Sequence, residues 1–256
     1  MSSASPLLTR NFRELESVVD YHVKVNKVAQ GDYKTCHIGC LARGEEDPDF
    51  IETEYGIPVI LTRIQEAIFE SLKPDEAVKF FASFPSVVAC DGKDLTRVGW
   101  QFLASELRNL PEVESDIQAV IDPVIEGLDL LAAGKPWPEA NSAARAAADA
   151  ATRAAFDYDV EVSNLTAARA AVYAAHAARA AADAATRAAF DYDVEVSARA
   201  ATRLDYAAGA AAQATHHVAA AAIQAALYTA AEAADTRLRQ RDTLLKLISE
   251  APVRGN

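Results

Sequence analysis

Cysteine is scarce in this chain: three thiols, Cys36, Cys40 and Cys90, in 256 residues. An odd, small set in a chain too long to need covalent staples excludes a disulfide scaffold, so reduced thiols are expected. Positive charge is also short, with 25 Lys and Arg against 37 Asp and Glu and a formal net charge of −12. That balance repels phosphate backbones and anionic lipid, which argues against direct nucleic-acid binding and polybasic membrane attachment. No apolar run approaches 20 residues except alanine-dominated ones broken by Arg and Asp, and the opening MSSASPLLTR lacks the apolar core of a signal peptide. The expectation is a soluble intracellular protein. Also missing are a Gly-rich phosphate loop, a Gly-x-Ser-x-Gly elbow and a His-Glu-x-x-His string. No motif names a reaction, and no cofactor is expected.

What is present divides in two. Through residue 140 there are 24 acidic and 13 basic side chains; from 141 onward there are 13 and 12. Nearly all the net acidity therefore falls in the first half. The expected organisation is an acidic helical N-terminal region, 1–110, followed by an Ala-rich helical domain, 111–256. In the first region GIPVILTRIQEAIFESL carries Ile60, Leu61, Ile64, Ala67, Ile68 and Leu72 at helical spacing, with Pro58 suited to a first turn. KPDEAVKFFASF and KDLTRVGWQFLASEL read as two further amphipathic helices. GEEDPDFIETEYG packs six acids into residues 45–54 and reads as a solvated loop or helix end, with an anionic DNA-mimicking surface as the functional alternative. ESDIQAVIDPVIEGLDLLAAG predicts a long helix stopped at Gly134, with a kink or break at Pro123. The fold class is all-α.

The second half holds an exact duplication. AARAAADAATRAAFDYDVEVS occurs at 143–163 and again at 177–197, offset by 34 residues. Arg145, Asp149, Arg153 and Asp157, repeated as Arg179, Asp183, Arg187 and Asp191, form a ladder of alternating charge in steps of four, each exposed pair worth about 0.2–0.5 kcal/mol on a helix. Alanine elsewhere favours helix but buries little area, which calls for close helix packing. Asp157, Asp159 and Glu161 resemble the start of a calcium loop, yet the Gly and the distal Glu such a loop needs are absent. The 34-residue period matches tetratricopeptide repeats, but their Trp, Leu-Gly, Tyr and Pro signature is missing. The block reads as a duplicated helical unit.

Two places carry candidate chemistry. TCHIGC puts Cys36, His37 and Cys40 within about one helical turn, with Thr35 as a cap, which makes them metal or redox candidates lacking a clear fourth ligand; buried structural thiols are the plainer reading. ATHHVAAAAIQAALY sets His216 and His217 about 100° apart, so only one faces a given cleft. His217 with Arg203, Tyr206, Tyr173 and Tyr228 makes a plausible polar lining for a ligand held between helices.

TCHIGCL, YGIPVILTRIQEAIFESL and GKDLTRV resemble, in order and spacing, an uncharacterised family of phage and proteobacterial proteins with Ala-rich C-terminal repeats, through Cys36, Gly39, Cys40, Leu41, Gly56, Ile57, Pro58, Phe69, Glu70, Leu72, Gly92, Asp94 and Leu95. The Ala-rich half is similar to the immunity domain associated with polymorphic toxins, through Trp137, Ala143, Ala144, Ala147, Thr215, His217, Val218 and Tyr228, although Ala221 stands where a second His belongs. The resemblance implies a setting of phage or bacterial conflict in the cytoplasm of a bacterial host cell. The leading expectation is a non-catalytic counter-defence or immunity factor that occludes a protein partner or sequesters a small nucleotide-like signalling ligand. The alternatives are a metal- or ligand-dependent enzyme using Cys36, His37 and Cys40, and a structural phage component; assembly into a homo-oligomer is open.

Overall fold

The computed structural model describes residues 7–30, 37–44, 48–110, 115–135 and 230–254. They form eight helices and no sheet, the expected all-α class: α1 Phe12–Lys24, α2 His37–Leu41, α3 Pro48–Tyr55, α4 Val59–Ser71, α5 Pro74–Val88, α6 Val98–Arg108, α7 Ser115–Ala132 and α8 Ala230–Glu250. Among the described residues no helix is long and apolar enough to cross a membrane. The duplicated block and its charge ladder lie outside the described residues.

The chain forms two compact units, one of Met1–Gly99 with Leu238–Asn256 and the other of Trp100–Arg237. The end of the Ala-rich half, from Leu238, thus belongs to the first unit. Leu244 and Ile248, one turn apart on α8, are fully buried there, and Arg241 pairs with Glu76 of α5 at 2.6 Å.

In the first unit, α4 packs against α2, α3 and α5, and α1 packs against α2 and α5. The periodicity of α4 predicts one apolar face, but Val59, Leu61, Thr62, Ile64, Gln65, Ala67, Ile68 and Phe69 are all buried, so neighbours cover most of its circumference. Pro58 stands at its N-cap rather than in its first turn. α5 starts at Pro74 with Asp75 and Glu76 in the first turn, where acids complement the helix dipole. Its Phe80, Phe81 and Phe84 are buried together with Phe69 and Tyr55. Burial of each large apolar side chain stabilises by roughly 1.5–3 kcal/mol relative to exposure.

Of the acidic stretch, expected as a solvated loop or helix end, residues 48–55 form a helix of their own. Pro48–Tyr55 is a helix whose Pro48, Ile51 and Tyr55 are buried, so three residues at spacings of three and four are enough to anchor it while the acids face outward or serve as caps. Glu52 does the latter: its Oε2 accepts the N–H of Val59, the first residue of α4, at 2.8 Å. Burial pushes the Glu52 carboxyl above its ordinary value, and the Val59 bond opposes that shift.

Similar long-range caps recur. Asp91 Oδ1 accepts the N–H of Phe12 at the start of α1 at 2.8 Å. Gln30 Nε2 donates to the carbonyls of Phe69 and Leu72 at the end of α4. Helix ends leave orphan backbone groups, and here side chains from distant segments satisfy them.

The expected helix from Lys93 begins only at Val98. Lys93 and Asp94, after a turn at Gly92, instead pair with the two ends of the described chain, through antiparallel bridges Leu8 with Asp94 and Lys93 with Val253. Thr9 N–H donates to Lys93 O, Gly92 N–H to Thr9 O, Asp94 N–H to Pro252 O and Arg254 N–H to Gly92 O, at 2.7–2.9 Å.

In the second unit, α7 continues through Pro123, so the expected kink or break is not a break. It stops as the sequence predicts: Gly134 adopts φ 72°, and Lys135 N–H donates to Leu130 O at 2.8 Å while Gly134 N–H donates to Leu131 O at 2.9 Å. Ile121, Val124, Ile125 and Leu128 form its buried face. Arg108 of α6 is ion-paired with Asp129 of α7.

Candidate functional site

α2 is a five-residue helix whose side chains are all buried. His37 opens it and is 1% exposed. Four phenylalanines enclose the imidazole: Phe69 of α4 at 6.0 Å between ring centroids, and Phe80, Phe81 and Phe84 of α5 at 6.4, 5.7 and 6.2 Å. Phe81 and Phe84 meet it edge-on, and Phe80 lies nearly parallel. Spacings of one, three and four along α5 bring three of these rings to one place, because positions three and four apart stack on one face.

This enclosure fixes the protonation state. Removal from water penalises the imidazolium, and the pKa of His37 falls to about 3. Its Nδ1 has no hydrogen-bond partner. The group is thus a neutral ring near pH 7, with no titration in the range where histidine shuttles protons.

Cys40 is fully buried, 0% exposed, and is not part of a disulfide. Thiol reactivity needs a stabilised thiolate and access, and an inaccessible thiol in an apolar core is inert. Cys36 and Thr35 lie outside the described residues, so the Cys36, His37, Cys40 set is placed only through its last two members. Among the described residues no group of three His, Cys, Asp or Glu side chains is arranged to hold a metal ion. Cys90 is half-buried, and its carbonyl accepts the Thr9 hydroxyl at 2.8 Å.

Arg203, Tyr206, His217, Tyr173 and Tyr228, the sequence-derived ligand-contacting set, all lie outside the described residues. Residues that the sequence reading used only as markers turn out to be architectural. Gly56 has φ 68°, and a Cβ there would lie 2.0 Å from the Leu8 carbonyl oxygen, so no side chain fits.

Lys93, unremarked in the sequence, has the most unusual polar environment in the first unit. It is 4% exposed, and its Nζ donates to Val87 O at 2.8 Å, Ile248 O at 3.1 Å and Ser249 O at 3.1 Å. One ammonium thereby spends its three donors on the ends of α5 and α8, where helix dipoles favour a cation. Burial lowers its pKa from the ordinary lysine value. The only sequence signal was a Lys-Asp pair flanked by apolar residues.

Comparison with family models, with curated proteins and with solved structures finds no match for this chain.

Proposed function

We propose that the chain is a non-catalytic binding protein of phage or bacterial conflict, a counter-defence or immunity factor that occludes a protein partner or sequesters a small signalling ligand. The observation that carries its non-catalytic character is the enclosure of His37 and Cys40. Both are at most 1% exposed, and four phenyl rings stand around the imidazole. A general base must come within hydrogen-bond reach of a substrate proton, and a nucleophile must be accessible. Neither condition is met by these two groups. The net charge of −12 further favours a protein or small-molecule partner over a nucleic acid.

Ligand contact is assigned to Arg203, Tyr206 and His217, with Tyr173 and Tyr228 beside them. Guanidinium forks hydrogen-bond phosphates, and phenol and guanidinium faces stack on bases. Titration calorimetry of the full chain against cyclic and linear nucleotides, with Arg203→Ala and His217→Ala beside it and melting curves for each, tests this assignment. Saturable binding lost in variants that melt like the parent supports sequestration. Capture of one protein from a host lysate, with no nucleotide bound, supports occlusion. Turnover of a nucleotide abolished by His37→Leu or Cys40→Ala in a folded protein overturns the non-catalytic reading.

A further inference from the structure

We infer that residues 100–237 are an insertion within a unit closed by residues 238–254, and that the number of 34-residue copies can change without disturbing that unit. The inference rests on the fold and is independent of the function proposed above.

Three observations support it. The backbone of residues 92–94 is paired on one side with Leu8 and Thr9 and on the other with Pro252–Arg254, so the first unit is complete only when both outer segments are in place. Lys93 then ties the end of α5 to the end of α8 through three carbonyls. The C-terminal part of α8 is held by buried Leu244 and Ile248 and by Arg241 with Glu76. The return point of the inserted segment is therefore fixed by the same unit.

Its departure point is fixed too. Gly99, at the start of α6, lies so close to α4 that a Cβ would meet Ile60 Cγ2 at 3.2 Å. Both copies of the duplicated block, 143–163 and 177–197, fall between these two points. None of the pairings that close the first unit, residues 8–9 with 92–94, 92–94 with 252–254 and Lys93 with the ends of α5 and α8, uses a residue of either copy, so a change in copy number removes none of them. The unit formed by the outer segments then stays constant while the copy number varies.

Hydrogen exchange of the full chain and of the same chain lacking residues 164–197 tests the inference. Amides of α1, α4, α5 and residues 240–254 are expected to keep their protection to within about twofold in the shortened chain. Protection in α4 and α5 that drops about tenfold or more, or a shortened chain that does not fold, overturns it. A Lys93→Met variant of the full chain tests the closure, with faster exchange expected at the end of α5 and throughout 244–254. Unchanged exchange at 244–254 overturns the role of Lys93. Should that variant not fold, Lys93→Arg, which keeps the charge but mismatches the three carbonyls, reads the same amides.

Discussion

The Arg254 guanidinium lies 2.8 Å from the Asp94 carboxylate, joining the last described residue to the segment before α6. The two partners differ in environment: the Asp94 side chain is 1% exposed and the Arg254 side chain 45%. Asp94 also accepts bonds from the backbone N–H and the hydroxyl of Thr96. Asp94→Ala is expected to cost about 2–4 kcal/mol, because a buried carboxylate and its network are lost. Arg254→Ala should cost about 1 kcal/mol, since its half-exposed head is screened by water. Urea unfolding of both single variants and the double variant measures the coupling, and a coupling of zero would mean the pair does not hold the tail.

Gly56 and Gly44 both have positive φ, 68° and 92°, but only Gly56 is crowded. At Gly44 an added Cβ meets nothing within 4 Å, whereas at Gly56 it overlaps the Leu8 carbonyl. Gly44→Ala is expected to cost about 1 kcal/mol from backbone strain alone, and Gly56→Ala about 3 kcal/mol or more. Thermal melts of the two variants check the difference, and equal losses would show that the approach of residue 8 to Gly56 contributes nothing.

The two glycines also show what a sequence can and cannot reveal. Local signals are readable: Pro58 and Pro74 mark the starts of α4 and α5, and Gly134 marks the stop of α7, because each acts through its own backbone. α3 was hidden because its three acids alternate with Pro48, Ile51 and Tyr55, which bury it, and follow three more acids at 45–47. The bridges among residues 8, 94 and 253 were unreadable, since pairing across so many residues leaves no local pattern. Gly56 could be read as a turn, but not as a passage for residue 8. Cys40 was legible as a buried thiol, whereas the burial of His37 and its aromatic enclosure depended on how α2, α4 and α5 pack. Arg203, Tyr206 and His217, proposed to contact a ligand, lie outside the described residues, so that proposal rests on sequence.

Gln65 of α4 is fully buried, and neither atom of its amide has a hydrogen-bond partner. An unmet buried amide costs more than an apolar group of similar length. Gln65→Met is therefore expected to raise stability by about 1–2 kcal/mol, an unusual direction for a core substitution. Denaturant unfolding decides it; a destabilised Met variant would mean that the amide is satisfied in solution.

His37 gives the unfolding free energy a pH slope of known sign. Its folded-state pKa of about 3 lies below the ordinary 6.5, so the unfolded chain takes up a proton that the folded chain refuses. The stability it confers is complete above pH 6.5 and is lost as pH falls toward 3, at about 1.4 kcal/mol per pH unit. Between pH 7 and 5 the loss from this residue is about 2 kcal/mol, and His37→Leu should remove it. Urea titrations of parent and variant at both pH values test this; parallel losses would mean that the imidazole reaches water in the folded state.

The pairing of residues 92–94 with 252–254 also has a consequence for biosynthesis. When Lys93 leaves the ribosome, the carbonyls of Ile248 and Ser249 that its ammonium engages do not yet exist. At about 5–20 residues per second, roughly 8–30 s of translation separate the two segments. During that interval residues 92–94 lack their partners at 252–254, and the first unit stands without Leu244 and Ile248, which are buried in the finished chain.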